Sequence, residues 1–589
     1  MVPNVFASLF YLVCFISFAL SLMLVKKTEK KMNIMVWTCV VAMAICGYQS
    51  FVAAIFSLVK IPVNIVSLGV MNLLASAYFW FRYIKKNEKQ SYYFDKINIL
   101  GFGILCVLLY LFMSLTYTLE FAPQYLAIDA SVHFDGAVTL QNYEAVHGMF
   151  FAKLQYGIFI ELFGAFISPA VYYKLFVICD LLMLLFAWMM FYSLIQKYAK
   201  DNFLKLAAIV VTVVYGVGYP MNSTLFGFTY LGTAITIVTY LLIVFDWFMD
   251  EEFNENYSII LLSLGCLSLF ESYMLFVPVV FFGLLFAIFY KQAKKKKLVS
   301  VETIKYGLSI FLMPSIIGLV FTYGGIFVNT GDFTVSDAIS NEGGIYRDFY
   351  SNFAILIPFA LFAMHKSIKE KQNKLVMWYL PLMVLFLIGL LLMALQGSAS
   401  SYYYYKNYYI LWLLMFELLF IAISSFTKEM RVFLLCGFTT WVIILFAYIF
   451  NWETYLQSKT SQFVVSNKTG TYHEIFGFNR DAINVPHYSS DKLHLYRYAI
   501  ENLQEEGDVL AIASTWEDWY WFTAISNQTL HADYAYWNYG AELFFERMNA
   551  EAEYTIVLYD APIFMEHPEV FWSYETVYET PVGCIIKVK

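Results

Sequence analysis

Apolar runs of membrane-spanning length, broken by short polar stretches, govern the first 450 residues of this chain. "VFASLFYLVCFISFALSLMLV" gives way to "KKTEKK", "ILGFGILCVLLYLFMSLTY" gives way to a polar loop, and the alternation continues to Phe450. A bilayer core of ~30 Å takes about 20 mostly apolar residues per helix. The pattern predicts spans near 4–25, 33–59, 61–80, 97–117, 170–194, 204–219, 227–245, 258–270, 273–290, 306–327, 349–364, 375–395, 408–426 and 432–450. Two spans beside the acidic loop "DWFMDEEFNEN" also fit re-entrant segments, so the expectation is 12 to 14 helices. The opening stretch has no basic n-region and no small-residue cleavage site, and reads as a first membrane helix, not a removable signal.

From Asn451 the pattern changes to mixed polar. "DKLHLYRYAIENLQEEG" and "AELFFERMNAEA" are helical in period, whereas "DVLAIAS", "YTIVLYD" and "VGCIIKVK" read as strands. Strands alternating with helices predict a small α/β domain over 451–589. It has no Gly-rich phosphate loop or nucleophile elbow. The expected fold class is therefore an all-α polytopic membrane protein carrying a small extracytoplasmic α/β C-terminal domain.

Composition excludes the alternative of several soluble domains: 60% of residues are hydrophobic and only 14% charged. Mean hydropathy is +0.63. Charge then sets orientation, because Lys and Arg gather on the cytoplasmic side. Alternate loops hold 24 of the 29 basic residues before position 451, leaving Lys60, Lys153, Lys174, Arg347 and Lys406 opposite. The N-terminus, the loop 118–169 and everything after Phe450 are accordingly expected outside a cell membrane. Sequons at Asn222, Asn467 and Asn527 fall on that side. The apolar stretch 148–166 is long enough to cross, but crossing would put every later lysine-rich loop outside. It is expected to lie at the outer interface or to dip in and return. Seven of the eight cysteines lie in apolar segments and no CxxC or Cys/His cluster occurs, which argues against a structural zinc site.

Against this background "QYLAIDASVHFDGAVTL" stands out, with Asp129, His133 and Asp135 inside seven residues. A site there cannot draw on cytoplasmic nucleotides, so its substrates are extracellular or are carried across on a lipid. The order of features is a span ending at Tyr117, an acid at Asp129, the apolar segment "GMFFAKLQYGIFIELFGAFISP" and a returning span ending in basic residues. This order resembles the first external loop of the C-type (GT-C) integral-membrane glycosyltransferases, among them protein O-mannosyltransferases, lipid A aminoarabinose transferases and oligosaccharyltransferases. Leu162-Phe163-Gly164 matches the turn that ends that loop's interfacial helices, and "LSLFESYMLFVPVVFFGLLF" is similar to a later helix-turn-helix of the family. The likeness is clearest over about residues 98–290. It implies a three-helix N-terminal module (1–96), a GT-C-like core (97–450) with its catalytic loop at 118–169, and the outer domain (451–589).

The resemblance also implies transfer of a sugar from a polyprenyl-phosphate donor to a cell-surface acceptor: a glycan, a teichoic acid or a protein. Asp129 is then the general base. Asp135 is the second choice or a cap for the following helix, and His133 an orienting or phosphate-contacting group. Lys153, Arg347 and Lys406 are candidates for the donor phosphate, although each also fits a side chain snorkelling to headgroups. Glu271 is a candidate accessory acid, and the tyrosines at 402–405 and 408–409 read as an interfacial belt. Asp180 falls within a span, where an ionisable group is a functional suspect. The chemistry requires no cofactor. A divalent metal stays open, although Asp129 is followed by Ala130 where many relatives carry a second acid. Membrane lipids are expected partners and nucleic acid is not. The alternative is a flippase or polymerase for lipid-linked oligosaccharides. A flippase should line a cavity with basic residues along several helices, and these spans lack them.

Overall fold

The computed structural model describes residues 4–86, 89–124, 128–139, 150–320, 349–449, 474–485, 487–504, 510–527 and 536–589. The chain opens with α1 (Val5–Leu24), β1 (Met32–Asn33), α2 (Ile34–Leu58), α3 (Ile65–Lys86), β2 (Tyr92–Tyr93) and α4 (Lys96–Thr116). Two helices of the expected outer loop follow, α5 (Ile128–Thr139) and α6 (Phe150–Gly164). Next come α7 (Tyr172–Gln196), α8 (Asn202–Gly216), α9 (Tyr219–Leu225), α10 (Thr229–Met249), α11 (Glu255–Ser272) and α12 (Val277–Lys294). The bundle continues with α13 (Val301–Val320), α14 (Phe349–Phe353) and α15 (Ile357–Lys369), then α16 (Val376–Leu395), α17 (Ser401–Lys406), α18 (Tyr408–Ile423) and α19 (Lys428–Ile449). Side-chain caps start many of them: Asn33 accepts from Met35 N at 3.1 Å, Asp95 from Ile97 N at 3.0 Å and Asp201 from Leu204 N at 2.8 Å.

Among the described residues, eleven helical segments are long and apolar enough to cross a membrane. The protein is thus a helical, multi-pass membrane protein. Three of the fourteen expected spans lie outside that set. The span near 258–270 is α11, diluted by Asn256, four serines and Glu271. The one near 349–364 divides into α14 and the 13-residue α15, whose last turn carries Lys366 and Lys369. The last is α19, 22 residues long, whose charged residues Lys428, Glu429 and Arg431 are confined to its start and are followed by an uncharged apolar run from Val432 to Ile449.

The basic loops share one end of the bundle. Lys30 meets Asp250 at 2.9 Å, Lys295 meets Glu251 at 3.0 Å and Lys305 meets Glu255 at 3.5 Å, so the acidic loop sits among the lysines. Such exposed pairs contribute little stability. Their value here is that they fix which loops lie together. At this end too is a cavity of about 340 Å³, lined by Lys30, Asp95, Lys197, Lys205, Asp246 and Asp250. Its charges are largely paired with one another, as in Lys205–Asp95 at 2.5 Å.

At the opposite end stands α6, the segment expected to lie at the outer interface or to dip in and return; at 15 residues it is shorter than the candidate spans. It is an internal helix whose side chains enter all three hydrophobic clusters: Phe151 the main bundle, Tyr156 and Ile160 the cluster under the C-terminal domain, and Leu154, Ile158 and Leu162 the cluster around α1 to α3. Its Glu161 accepts from Ile65 N at 3.0 Å, tying it to the start of α3.

The C-terminal domain begins with α20 (Ile475–Ile483), α21 (Ser490–Tyr498), β3 (Leu510–Ala513), α22 (Trp516–Ser526), α23 (Tyr536–Tyr539) and α24 (Ala541–Glu551). It closes with β4 (Tyr554–Leu558), α25 (Pro562–Glu566), α26 (Pro568–Phe571), β5 (Glu575–Thr580) and β6 (Gly583–Lys587). The sheet order is β3-β4-β6-β5, with β3 and β4 parallel and β6 antiparallel to both neighbours. The three expected strands are present, and β5 is a fourth. Its alternating, half-exposed "ETVYET" lacks the continuous apolar run that marks the inner strands. The domain rests on the bundle end that carries α5. Tyr488 N donates to Pro123 O at 2.9 Å, and Asn479 Nδ2 donates to Val217 O and Gly218 O at 2.8 Å each.

Candidate functional site

Helix α5 sorts the acids that the sequence clusters. At 100° per residue, Asp129 and His133 share a face, while Asp135 points about 120° away. The first pair faces α10: the His133 ring lies edge-on to Tyr230, 5.4 Å between centroids. Asp135 lies on the other side, where its neighbour Gly136 underlies Lys153, with Cε 3.5 Å from the position of an added Cβ. Asp135, the second choice for the base, is therefore set on a different face from Asp129, and it caps no following helix, since it sits inside α5. Lys153 goes with Asp135's side.

Two contacts seat α5. Below it the turn Phe226-Gly227-Phe228 comes so close that a Cβ on Gly227 would stand 2.6 Å from Ala130 Cβ and 2.7 Å from its Cα. Gly227 also has φ +67°, the left-handed region that glycine enters at no steric cost. Above it α22 packs down, Trp521 stacking near Phe134 at 6.5 Å. A cavity of about 20 Å³, room for one water, lies behind Ala130 among Tyr117, Gln124, Asp180 and Trp521. Asp180 itself accepts from Tyr156 inside the bundle.

Lys406 completes the site. It ends α17, is only 5% exposed, and donates from Nζ to Tyr230 OH at 2.6 Å. Ring centroids surround its Nζ: Tyr402 at 4.0 Å, Tyr230 at 4.9 Å, Phe228 at 5.1 Å, Tyr273 at 5.6 Å and Tyr403 at 5.8 Å. Burying an ammonium costs several kcal/mol, and this cage of rings with one hydrogen bond offsets part of that. It does not snorkel. The negative charge within its reach is Asp129. Burial raises the Asp129 pKa above the ordinary carboxylate value, and Lys406 pulls it back. Asp129 nevertheless remains solvent-exposed and accessible to a ligand. Burial, aided by repulsion from Lys406, lowers the His133 pKa to about 4, so the imidazole is neutral at neutral pH.

Other expected members lie elsewhere. Glu271 is buried and accepts from Ser50 of α2. Arg347 lies outside the described residues, as does the sequon at Asn467. Asn222 cannot be a glycan acceptor, being fully buried, donating to Asn479 Oδ1 at 2.7 Å and accepting from Tyr409 OH at 2.5 Å. Sequence reading missed Tyr230, Tyr273 and Phe228, single aromatics at the ends of apolar helices and indistinguishable there from core. Among the described residues no group of three or more His, Cys, Asp or Glu side chains is placed to hold a metal ion.

Chemically, the site offers an accessible carboxylate of raised basicity, a neutral imidazole one turn along, and a caged cation beside them. Comparison with family models, with curated proteins and with solved structures found no match.

Proposed function

We propose that this protein is a membrane glycosyltransferase that moves a sugar from a polyprenyl-phosphate donor to a hydroxyl acceptor on the extracytoplasmic face. The observation that carries the reading is solvent-accessible Asp129 within electrostatic reach of the caged Lys406, at the bundle end opposite the basic loops. By the charge rule that end faces outward. Asp129 takes the proton of the acceptor hydroxyl, whose oxygen attacks the anomeric carbon. The bond from that carbon to the phosphate oxygen breaks, and the polyprenyl phosphate leaves with its electron pair and added negative charge. Lys406 stands where that charge develops, and a fixed cation there is worth several kcal/mol. Neutral His133 orients the acceptor or Asp129 through a hydrogen bond and adds no charge.

The test is a transfer assay on purified protein in nanodiscs with a panel of radiolabelled polyprenyl-phosphate sugars. Asp129→Asn is expected to lower turnover of the accepted donor by roughly 10²–10⁴-fold, the usual contribution of a general base. Donors that bind but are never consumed by the wild type would sink the transferase and favour the flippase.

A further inference from the structure

Five span ends meet around the cavity at the basic end. Helices α2 and α4 begin there, α7 and α10 end there, and α8 sets out beside them. The cavity therefore lies where the bundle leaves the bilayer core, at the level of lipid headgroups. Its volume of about 340 Å³ falls within the range of small-molecule sites. Tyr93, in its wall, is 47% exposed, so the cavity is reached from the side of α4. On that helix the exposed residues Leu100, Ile104, Val107 and Leu111, spaced i, i+4, i+7 and i+11, form an apolar column that an acyl chain can follow.

The wall carries both signs, four lysines and three aspartates. Three pairs join separate elements: Lys30 with Asp250 at 2.9 Å, Lys205 with Asp95 at 2.5 Å, and Lys197 with Asp246. The fourth lysine, Lys31, is left over. It is exposed, and its ammonium makes no ion pair or hydrogen bond among the described residues.

We propose that this cavity binds a phosphoethanolamine group, its phosphate toward Lys31, Lys30 and Lys205 and its ammonium toward Asp246 and Asp250. A ligand of one sign strands the counter-charge of any pair it opens. An anion that draws Lys30 away leaves the Asp250 carboxylate without its cation, and a lone cation does the reverse to the lysines. A ligand with both signs replaces each partner it displaces. Partly exposed pairs are weak enough to exchange in this way. Lys31 supplies the further positive charge that a phosphate takes up. Basic pockets between membrane helices suit phosphate headgroups, and the three carboxylates select a headgroup that also carries an amine. The site lies at the bundle end away from Asp129 and does not rest on the transferase reading.

The experiment is native mass spectrometry of the full-length protein released from nanodiscs that hold equal amounts of phosphatidylethanolamine, phosphatidylglycerol and phosphatidylcholine. Phosphatidylethanolamine should be retained above the other two, since a choline ammonium donates no hydrogen bond and a glycerol carries no cation. Lys31→Ala should weaken that retention by about fivefold, as loss of one lysine beside a phosphate headgroup does. Asp250→Asn, which keeps the acceptor for Glu252 N, should narrow the preference over phosphatidylglycerol. Should that variant fail to fold, Lys31→Ala decides alone, because the Lys31 side chain holds no other residue in place. Free phosphoethanolamine, titrated into nanodiscs of phosphatidylcholine alone, separates the two sources of the group. Binding there assigns the site to a soluble molecule, and retention of the lipid without it assigns the site to the headgroup. Equal retention of the three lipids together with no binding of the free compound would overturn the proposal. So would a preference for phosphatidylglycerol, or binding of the selected form unchanged in Lys31→Ala.

Discussion

Asp129 is subject to two opposing effects: enclosure by protein raises its proton affinity, and Lys406 lowers it. A general base works only when ionised, so the rate should rise with pH through the Asp129 pKa and fall off below it. The acid limb is expected above the ordinary carboxylate range. Lys406→Met removes the cation, so it should move that limb to higher pH as well as slow turnover, read from kcat against pH. His133 gives a second signature. Folding lowers its pKa from about 6.5 to about 4. Between those values the unfolded chain binds the proton and the folded chain resists it. Stability from this group is thus complete above about pH 6.5 and lost as pH falls toward 4. Melting profiles over that window should show a smaller acid loss in His133→Gln than in the wild type. Of these residues, Asp129, His133 and Lys406 were legible as scarce polar groups in an apolar chain. Tyr230 and Tyr273 were not, because a cage built from three separated helices leaves no local pattern.

Helix α5 is as well determined by its neighbours as by its own sequence. The expected loop over 118–169 contains two helices, and the short apolar pieces there do not distinguish helix from loop until packing is known. Packed against three clusters, α6 carries apolar residues around most of its circumference, with Lys153, Gln155 and Glu161 scattered among them, and lacks the one-sided stripe of a surface helix. The same packing makes Gly227 a sensitive position. Gly227→Ala combines a left-handed backbone with a contact to the backbone of Ala130, so α5 must shift. A misplacement of about 1 Å in a catalytic group can cost 10²-fold. The variant should therefore lose transfer by at least tenfold. It should also show raised protease cleavage near α5, which an unrelated surface glycine such as Gly397 would not produce. The C-terminal domain was legible as α/β from its apolar strands. Its seat on α5 was not, since Trp521 meets Phe134 across nearly 400 residues of sequence.

Across the whole molecule, lysine and arginine mark which loops share one end of the bundle, while acidic residues alone left the loop 250–256 undetermined. Its ion pairs with Lys30, Lys295 and Lys305 place it at the basic end. Cysteines introduced at Glu252 and at Asn538 should accordingly react with an impermeant maleimide from opposite sides of a sealed vesicle. Reaction of both from one side would contradict the assigned sidedness. The most direct test of the central claim joins side to chemistry. In sealed proteoliposomes sorted by exposure of the C-terminal domain, a labelled polyprenyl-phosphate sugar and an impermeant hydroxyl acceptor are supplied. Transfer is expected only when acceptor and C-terminal domain share a side, and Asp129→Asn should abolish it. Transfer to an acceptor on the opposite side, or undiminished in Asp129→Asn, would contradict an outward-facing site with Asp129 as its base.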